Sequence, residues 1–283
     1  MYRPGVFFSV VYPQALPYLK DVRKSALSQT RKDFDILIVN DGCNKDLIKR
    51  ELSGLNLTIL EAEGGFTSNR MQGINYARYK GYKYILFCDA DDSFTFNRYE
   101  RTIEEFEDAK TDIIVCNLNI ADEQCKPFLK DYFSKEIKRN RWIGADFLVD
   151  KNIFGMSNTA IRLSSLKSDI QLPETPIVDW LLFSVLLLKG LNAKYITESM
   201  VNYRQYNANM IGITRFDVVS FKKLAKLKNN HYKHLSEIGY IQYQELYQKT
   251  LSLLTLSDIE IENIIKRELV KHSQPLWWQI IIE

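Results

Sequence analysis

Histidine and cysteine are scarce in this chain, with three of one and four of the other in 283 residues. The histidines, His231, His234 and His272, all fall near the C-terminal end, so none stands in the motifs described below. The cysteines, Cys43, Cys88, Cys116 and Cys125, show no CxxC spacing, and Cys88 and Cys116 close apolar runs that read as buried strands. That usage suits reduced thiols of a cytosolic protein. No long hydrophobic run is present. The most apolar stretch, Ile177 to Leu188, is a dozen residues interrupted by Asp179, short of the ~20 that span a bilayer. The start, MYRPGVFFSVVYP, ends its short apolar run at Pro13 without a small-residue cleavage site, so a secretory signal is not expected. A cytoplasmic chain is expected, with peripheral attachment at the inner face of the cell membrane as its closest approach to lipid. Charge of one sign is also missing. Against 35 Asp and Glu there are 38 Lys and Arg, a balance that argues against nucleic acid as the main partner. Neither GxGxxG nor GxxxxGK[ST] occurs, which argues against a dinucleotide dehydrogenase and a P-loop enzyme.

What is present is ample apolar content, 46%, arranged in a βαβ rhythm. Short β-branched and aromatic runs occupy Val6 to Tyr12, Asp35 to Val39, Leu57 to Leu60, Tyr84 to Cys88 and Asp112 to Asn117. Helical spacing covers Leu19 to Gln29, Ser68 to Tyr79 and Asn97 to Ala109 between them. This alternation predicts an α/β fold with a doubly wound, mostly parallel sheet, whose ligands sit beyond the carboxyl ends of the strands. Beyond residue 118 the rhythm becomes mixed, with a strand near Ala160 and a buried helix from Ile177 to Lys189. Thr175 is expected to cap that helix, Pro176 to open it and Gly190 to end it. From Phe216 onward the pattern is helical in three segments, Phe216 to Glu237, Ile241 to Leu254 and Asp258 to Val270.

Four loops carry chemistry. CDADDSF places Asp89, Asp91 and Asp92 just past a strand; crowded carboxylates repel unless a divalent cation is shared among them and substrate phosphates, and oxygen ligands favour Mg²⁺ or Mn²⁺. The alternative is an acidic turn capping the helix that begins near Asn97. In ILIVNDG, Asp41 sits where a base or ribose could be bound, or serves as a turn former ahead of Gly42. In GGFTSNRMQGIN, Arg70 is placed to meet a diphosphate or a neighbouring carboxylate. In TPIVDWLLFSVLLLKG, Asp179 lies in the first turn of an apolar helix, favoured there by the helix dipole, or readied as a general base by burial.

Taken in order, FFSVVYP, LSQT with FDILIVNDG, NRMQGINYA, YILFCDADD, and VDWLLFSVLLLKG followed by YRQYNANMIG make the chain resemble the inverting GT-A glycosyltransferases of family 2 over about residues 5–213. The resemblance implies a GT-A (Rossmann-like) domain of two halves, a nucleotide-sugar-binding half at 1–118 and an acceptor-binding half at 119–213, with an all-helical C-terminal extension at 214–283. It implies a nucleotide-diphosphate sugar donor, a UDP-sugar first among them, a Mn²⁺ or Mg²⁺ ion, and transfer with inversion to a hydroxyl of a glycan or lipid-linked acceptor in surface polysaccharide biosynthesis. Carried over residue by residue, Tyr12 and Pro13 take the place of the donor-binding turn after the first strand, Asp41 contacts the base, Arg70 supports the donor, Asp89 and Asp91 form the DxD pair, Asp91 and Asp92 hold the metal, and Asp179 is the catalytic base.

Three departures stand out. YPQALPY shortens the first turn, Asn40 replaces one carboxylate ahead of Asp41, and Tyr206 stands where the family often has histidine. They leave open an alternative of another class, a catalytically silent sugar-nucleotide-binding scaffold subunit of a glycan-assembly complex. Between Arg215 and Tyr240 basic residues outnumber acidic ones by four. That excess makes either a solvated helix face or a seat for anionic lipid, and PLWWQIIIE either packs back on the body or serves self-association or membrane contact.

Overall fold

The computed structural model describes residues 4–167, 170–206 and 217–271. The tail PLWWQIIIE, His272, the end of YRQYNANMIG and the expected domain divide at 213 lie outside them. Along the chain run β1 (Gly5–Val11), α1 (Leu19–Leu27), β2 (Phe34–Asn40), α2 (Lys45–Glu51), β3 (Leu57–Glu61), α3 (Phe66–Tyr79), β4 (Tyr84–Phe87), β5 (Ser93–Phe94) and α4 (Arg98–Glu105). Then follow β6 (Ile113–Ala121), β7 (Pro127–Leu129), β8 (Arg141–Ile143), β9 (Thr159–Arg162), α5 (Val178–Leu188), β10 (Ala193–Arg204), α6 (Val218–Glu237), α7 (Gln244–Leu253) and α8 (Asp258–Lys271).

One sheet runs in the order β3-β2-β1-β4-β9-β6-β10-β5, with β7 added to β6 and β8 to β10. All seven residues of β1 are buried, as expected of a strand with helices on both faces. β1 pairs in parallel with β2 and β4, β9 runs antiparallel to both β4 and β6, and β10 is parallel to β6. Hence β1, β2, β4, β6 and β10 all point the same way. The residues that follow them share one sheet edge, however far apart they stand in sequence. The divide expected after residue 118 falls inside β6, so the two halves share a strand.

Besides the short strands β5, β7 and β8, two longer elements escaped the sequence pattern. α2 is seven residues with a single buried position, Ile48, too short and polar for its period to register. β10 is twelve residues long, but its register against β6 shifts around Ser199; such a bulge breaks the alternation that marks a strand. In α5 the residues Trp180 to Leu187 are all buried. The helix starts later than its capping signals implied. Ile177 precedes its first turn without a side-chain cap, Thr175 Oγ1 accepts from the Ile177 N–H at 3.4 Å, and Pro176 lies ahead of the helix. Gly190 follows the helix with φ +87°, the left-handed conformation in which glycine ends helices.

α6 lies against α5 and the segment before it. Tyr232 donates its hydroxyl to the Val149 carbonyl at 2.7 Å, Lys228 Nζ donates to the Asp150 carbonyl at 2.7 Å, and the His231 ring stacks on Trp180 at 4.0 Å between centroids. α3 crosses β1 at Gly73, where an added Cβ would stand 2.1 Å from Phe8 Cζ. Gly73→Ala therefore has to push α3 off the sheet. We expect a loss of about 1–3 kcal/mol, the usual cost of overpacking, read from denaturant unfolding; an unchanged midpoint would show that Phe8 yields freely.

Candidate active site

The shared carboxyl edge brings Tyr12, Asp41, the Asp89–Asp92 turn and Tyr206 together after β1, β2, β4 and β10 respectively. α3 contributes Arg70 from its first turns, and α5 contributes Asp179.

Asp91 is 8% exposed. Its Oδ2 accepts from the Tyr206 hydroxyl at 2.6 Å and from the Tyr12 hydroxyl at 3.0 Å. Asp92 is more deeply placed, and both its oxygens are used within the protein: Oδ1 accepts the Arg204 N–H at 2.8 Å and Oδ2 accepts from the Ser157 hydroxyl. Ser157 also takes the Asp89 N–H at 3.1 Å and lies 3.3 Å from Asp89 Oδ2. The turn is thus tied to β10 and to the FGMSN segment. It does not cap α4, whose first residue follows Asn97 with no side-chain capping bond.

Electrostatics link this turn to the other two elements. Burial, and then the negative charge of Asp91, push the Asp89 carboxyl up to about 7; Arg70 pulls it down and Asp179 adds to the rise. Burial also pushes Asp179 up to about 6, against the pull of the Trp180 N–H and Arg70. Burial and the neighbouring Asp91 and Asp89 raise Asp92 well above the usual carboxylate range. Four carboxylates and one arginine therefore share a field, and the negative charge exceeds what Arg70 neutralises.

Asp179 is oriented by two donors. The Trp180 N–H reaches Oδ1 at 2.8 Å and Asn152 Nδ2 reaches Oδ2 at 3.2 Å, with Asn152 itself pinned by the Phe154 N–H and carbonyl at 2.9 and 2.8 Å. Just ahead of α5, Glu174 accepts from the Thr67 and Ser68 N–H groups at 3.0 and 2.9 Å and from the Ser68 hydroxyl at 2.6 Å. Burial works to raise the Glu174 carboxyl, but these hydrogen bonds and Arg70 hold it below its ordinary range. The N-terminus of α3 is an anion seat, and here it anchors the segment that delivers Asp179.

The remaining expected residues lie at the rim. Asp41 is exposed, its N–H continuing the β1–β2 ladder to Val11 O at 2.7 Å ahead of Gly42, which has φ +85°. Pro13 is exposed after the half-buried Tyr12. Arg204, Ser157, Asn152 and Glu174 were not singled out by the sequence. Arg204 is 1% exposed; its Nε donates to the Asp91 carbonyl, its other nitrogens reach the Glu123 carbonyl and Asp21, and its guanidinium lies 4.4 Å from the Tyr18 ring centroid. Its only sequence signal is its place in YRQY.

Among the described residues no group of three or more His, Cys, Asp or Glu is arranged to hold a metal ion. Two carboxylates with surplus negative charge still suit Mg²⁺ or Mn²⁺, which are bound through one or two carboxylates with substrate phosphates completing the sphere. Asp91 and Asp89 fit that role. Asp92, with one oxygen on the Arg204 N–H and the other on the Ser157 hydroxyl, is already engaged within the protein. Two cavities of about 570 and 650 Å³ open elsewhere, with Arg162, Ser164 and Leu166 common to both linings and none of these carboxylates in either.

The fold is that of the GT-A glycosyltransferases. It resembles S. aureus TarS 1–349 in complex with UDP-GlcNAc at a TM-score of 0.61, 14% identity, over 88% of this chain and 72% of that one. It also resembles the mannosyltransferase PcManGT from Pyrobaculum calidifontis, in complex with GDP-Man and Mn²⁺, at a TM-score of 0.59, 13% identity, over 96% of this chain and 76% of that one. The chain belongs to glycosyl transferase family 2, whose family model matches residues 9–163. A curated relative, the uncharacterized glycosyltransferase EpsJ of Bacillus subtilis (strain 168), is 35% identical over 107 residues, which span 35% of this chain and 30% of EpsJ.

Proposed function

We propose that the chain transfers a sugar, with inversion and with the help of a divalent cation, from a nucleotide-diphosphate sugar to a hydroxyl of a glycan or lipid-linked acceptor in surface polysaccharide assembly. The observation that carries this reading is one sheet edge at which Tyr12 and Tyr206 meet Asp91 while Asp179, held by the Trp180 N–H and Asn152, and Arg70 lie near enough to act on Asp89. Similarity to proteins solved with UDP-GlcNAc and with GDP-Man and Mn²⁺ supports the donor class and the metal.

In this reading Asp179 takes the proton of the acceptor hydroxyl as its oxygen attacks the anomeric carbon. The bond from that carbon to the diphosphate oxygen breaks, and its electron pair leaves with the nucleoside diphosphate. Attack and departure on opposite faces invert the centre, so no covalent enzyme intermediate is required. Arg70 offers a permanent charge to the departing diphosphate. Asp91 and Asp89 would hold the cation, which when bound would neutralise that leaving charge. Asp92 keeps the turn in place through Arg204 and Ser157, and Tyr12, Pro13 and Asp41 border the nucleoside end.

The test is donor consumption across UDP- and GDP-sugars with Mn²⁺. Turnover that EDTA abolishes and Mn²⁺ restores is expected. Metal-dependent nucleotide binding with no turnover over a broad acceptor panel would identify a silent binding subunit, and pyrophosphate release from a nucleoside triphosphate and a sugar phosphate would identify a nucleotidyltransferase.

A further inference from the structure

Asp91 meets two phenols at one oxygen. Tyr12 arrives from the end of β1 and Tyr206 from just past β10, and their hydroxyls lie 3.4 Å apart while both reach Asp91 Oδ2. The 2.6 Å bond from Tyr206 has the length of a hydroxyl donating to a charged carboxylate. The other oxygen, Oδ1, accepts no hydrogen bond from the described residues.

The phenols are held in place. The Tyr206 ring packs on Tyr18 at 5.2 Å between centroids, Tyr18 lies beneath the Arg204 guanidinium, and the same Arg204 holds the Asp91 carbonyl. One buried arginine therefore fixes both the carboxylate's backbone and the ring that engages its side chain. A hydroxyl proton and a metal ion compete for the same lone pairs of a carboxylate oxygen. A cation arriving at Asp91 must use Oδ1 alone or displace the phenols from Oδ2.

We propose that Tyr12 and Tyr206 form a phenolic latch on Asp91, which keeps divalent-cation binding weak until the phosphates of a nucleoside diphosphate supply the missing ligands. The inference rests on the reading of Asp91 as a cation ligand. It gives Tyr206 a role opposite to that of a metal-ligating residue: its hydroxyl opposes the metal until the donor is bound. The latch makes metal and donor bind as a pair, since neither alone offsets the lost hydrogen bonds.

The experiment measures Mn²⁺ binding by the full chain, following the paramagnetic resonance signal of free Mn²⁺ with and without UDP. The proteins are wild type, Tyr206→Phe, Tyr12→Phe and the double variant, each checked for an unchanged melting temperature. We expect the double variant to bind Mn²⁺ alone about tenfold more tightly, the scale of one hydrogen bond to a charged group, with a gap of similar size when UDP is present, because the cation displaces the same phenols in both cases. Mn²⁺ binding that is equal or weaker in the phenylalanine variants overturns the latch. Introducing Asp91→Asn into the double variant separates the two readings: tightened binding that survives this change places the cation elsewhere, and it is then the metal assignment that fails.

Discussion

Asp179→Asn is expected to lower the rate of transfer by about 10²–10⁴-fold, the contribution of a positioned general base, while donor binding stays near the wild-type level. The amide keeps the size of the carboxylate but cannot accept the acceptor's proton. The pH profile gives the second half of the test. Burial raises this carboxyl to about 6, and only the deprotonated form can act as a base. Activity at saturating donor and Mn²⁺ should therefore climb with pH through about 6 and level off above it. The residual activity of Asp179→Asn should lack that acidic limb. Wild-type turnover in the asparagine variant, or the same limb in both proteins, would remove Asp179 from the chemistry.

Asp91→Asn is expected to abolish Mn²⁺-stimulated turnover, a loss of at least about 10²-fold given the leaving-group charge left without its partner. The folded protein should suffer little. In the wild type the charge of Asp91 is among the causes, after burial, that push Asp89 and Asp92 upward, so neutralising it relieves repulsion within the turn. The sign for stability follows: carboxyls whose folded pKa lies above the unfolded value lose stability as pH rises through that interval, and the variant loses less. A melting temperature at neutral pH equal to or above wild type, together with collapsed activity, marks a residue kept for function at some expense of stability. A lower melting temperature with turnover intact would show that Asp91 serves the fold instead.

The parallel half of the fold was legible because buried strands and amphipathic helices leave opposite periods in the sequence. Asp89, Asp91 and Asp41 were legible because residues just beyond parallel strands are driven to a common edge, and Asp179 because a lone acid in an apolar helix needs a reason. The partners of those residues were not. Ser157 reaches Asp92 across 65 positions, Arg204 reaches Asp91 across 113 and Glu174 reaches Ser68 across 106, and nothing in local spacing records such pairings. Asp92 shows the cost of this blindness. In sequence it matches its neighbours, and only the donors from Arg204 and Ser157 reveal that each of its oxygens is already engaged within the protein. Tyr206 was visible as a departure from a pattern, but its direction, toward Asp91, required β10 and the bulge that hides it.

The stack of His231 on Trp180 ties the terminal helices to the chemistry by mechanical means. Burial holds the His231 imidazole neutral, and neither of its ring nitrogens has a hydrogen-bond partner among the described residues, so it conveys shape to the indole and no charge. Trp180 is the residue whose N–H steadies Asp179. A sideways slip of α6 is consequently felt one residue from Asp179, and chimeras that exchange the terminal helices between relatives must bring along a ring that fits this indole, or inherit an Asp179 that wanders.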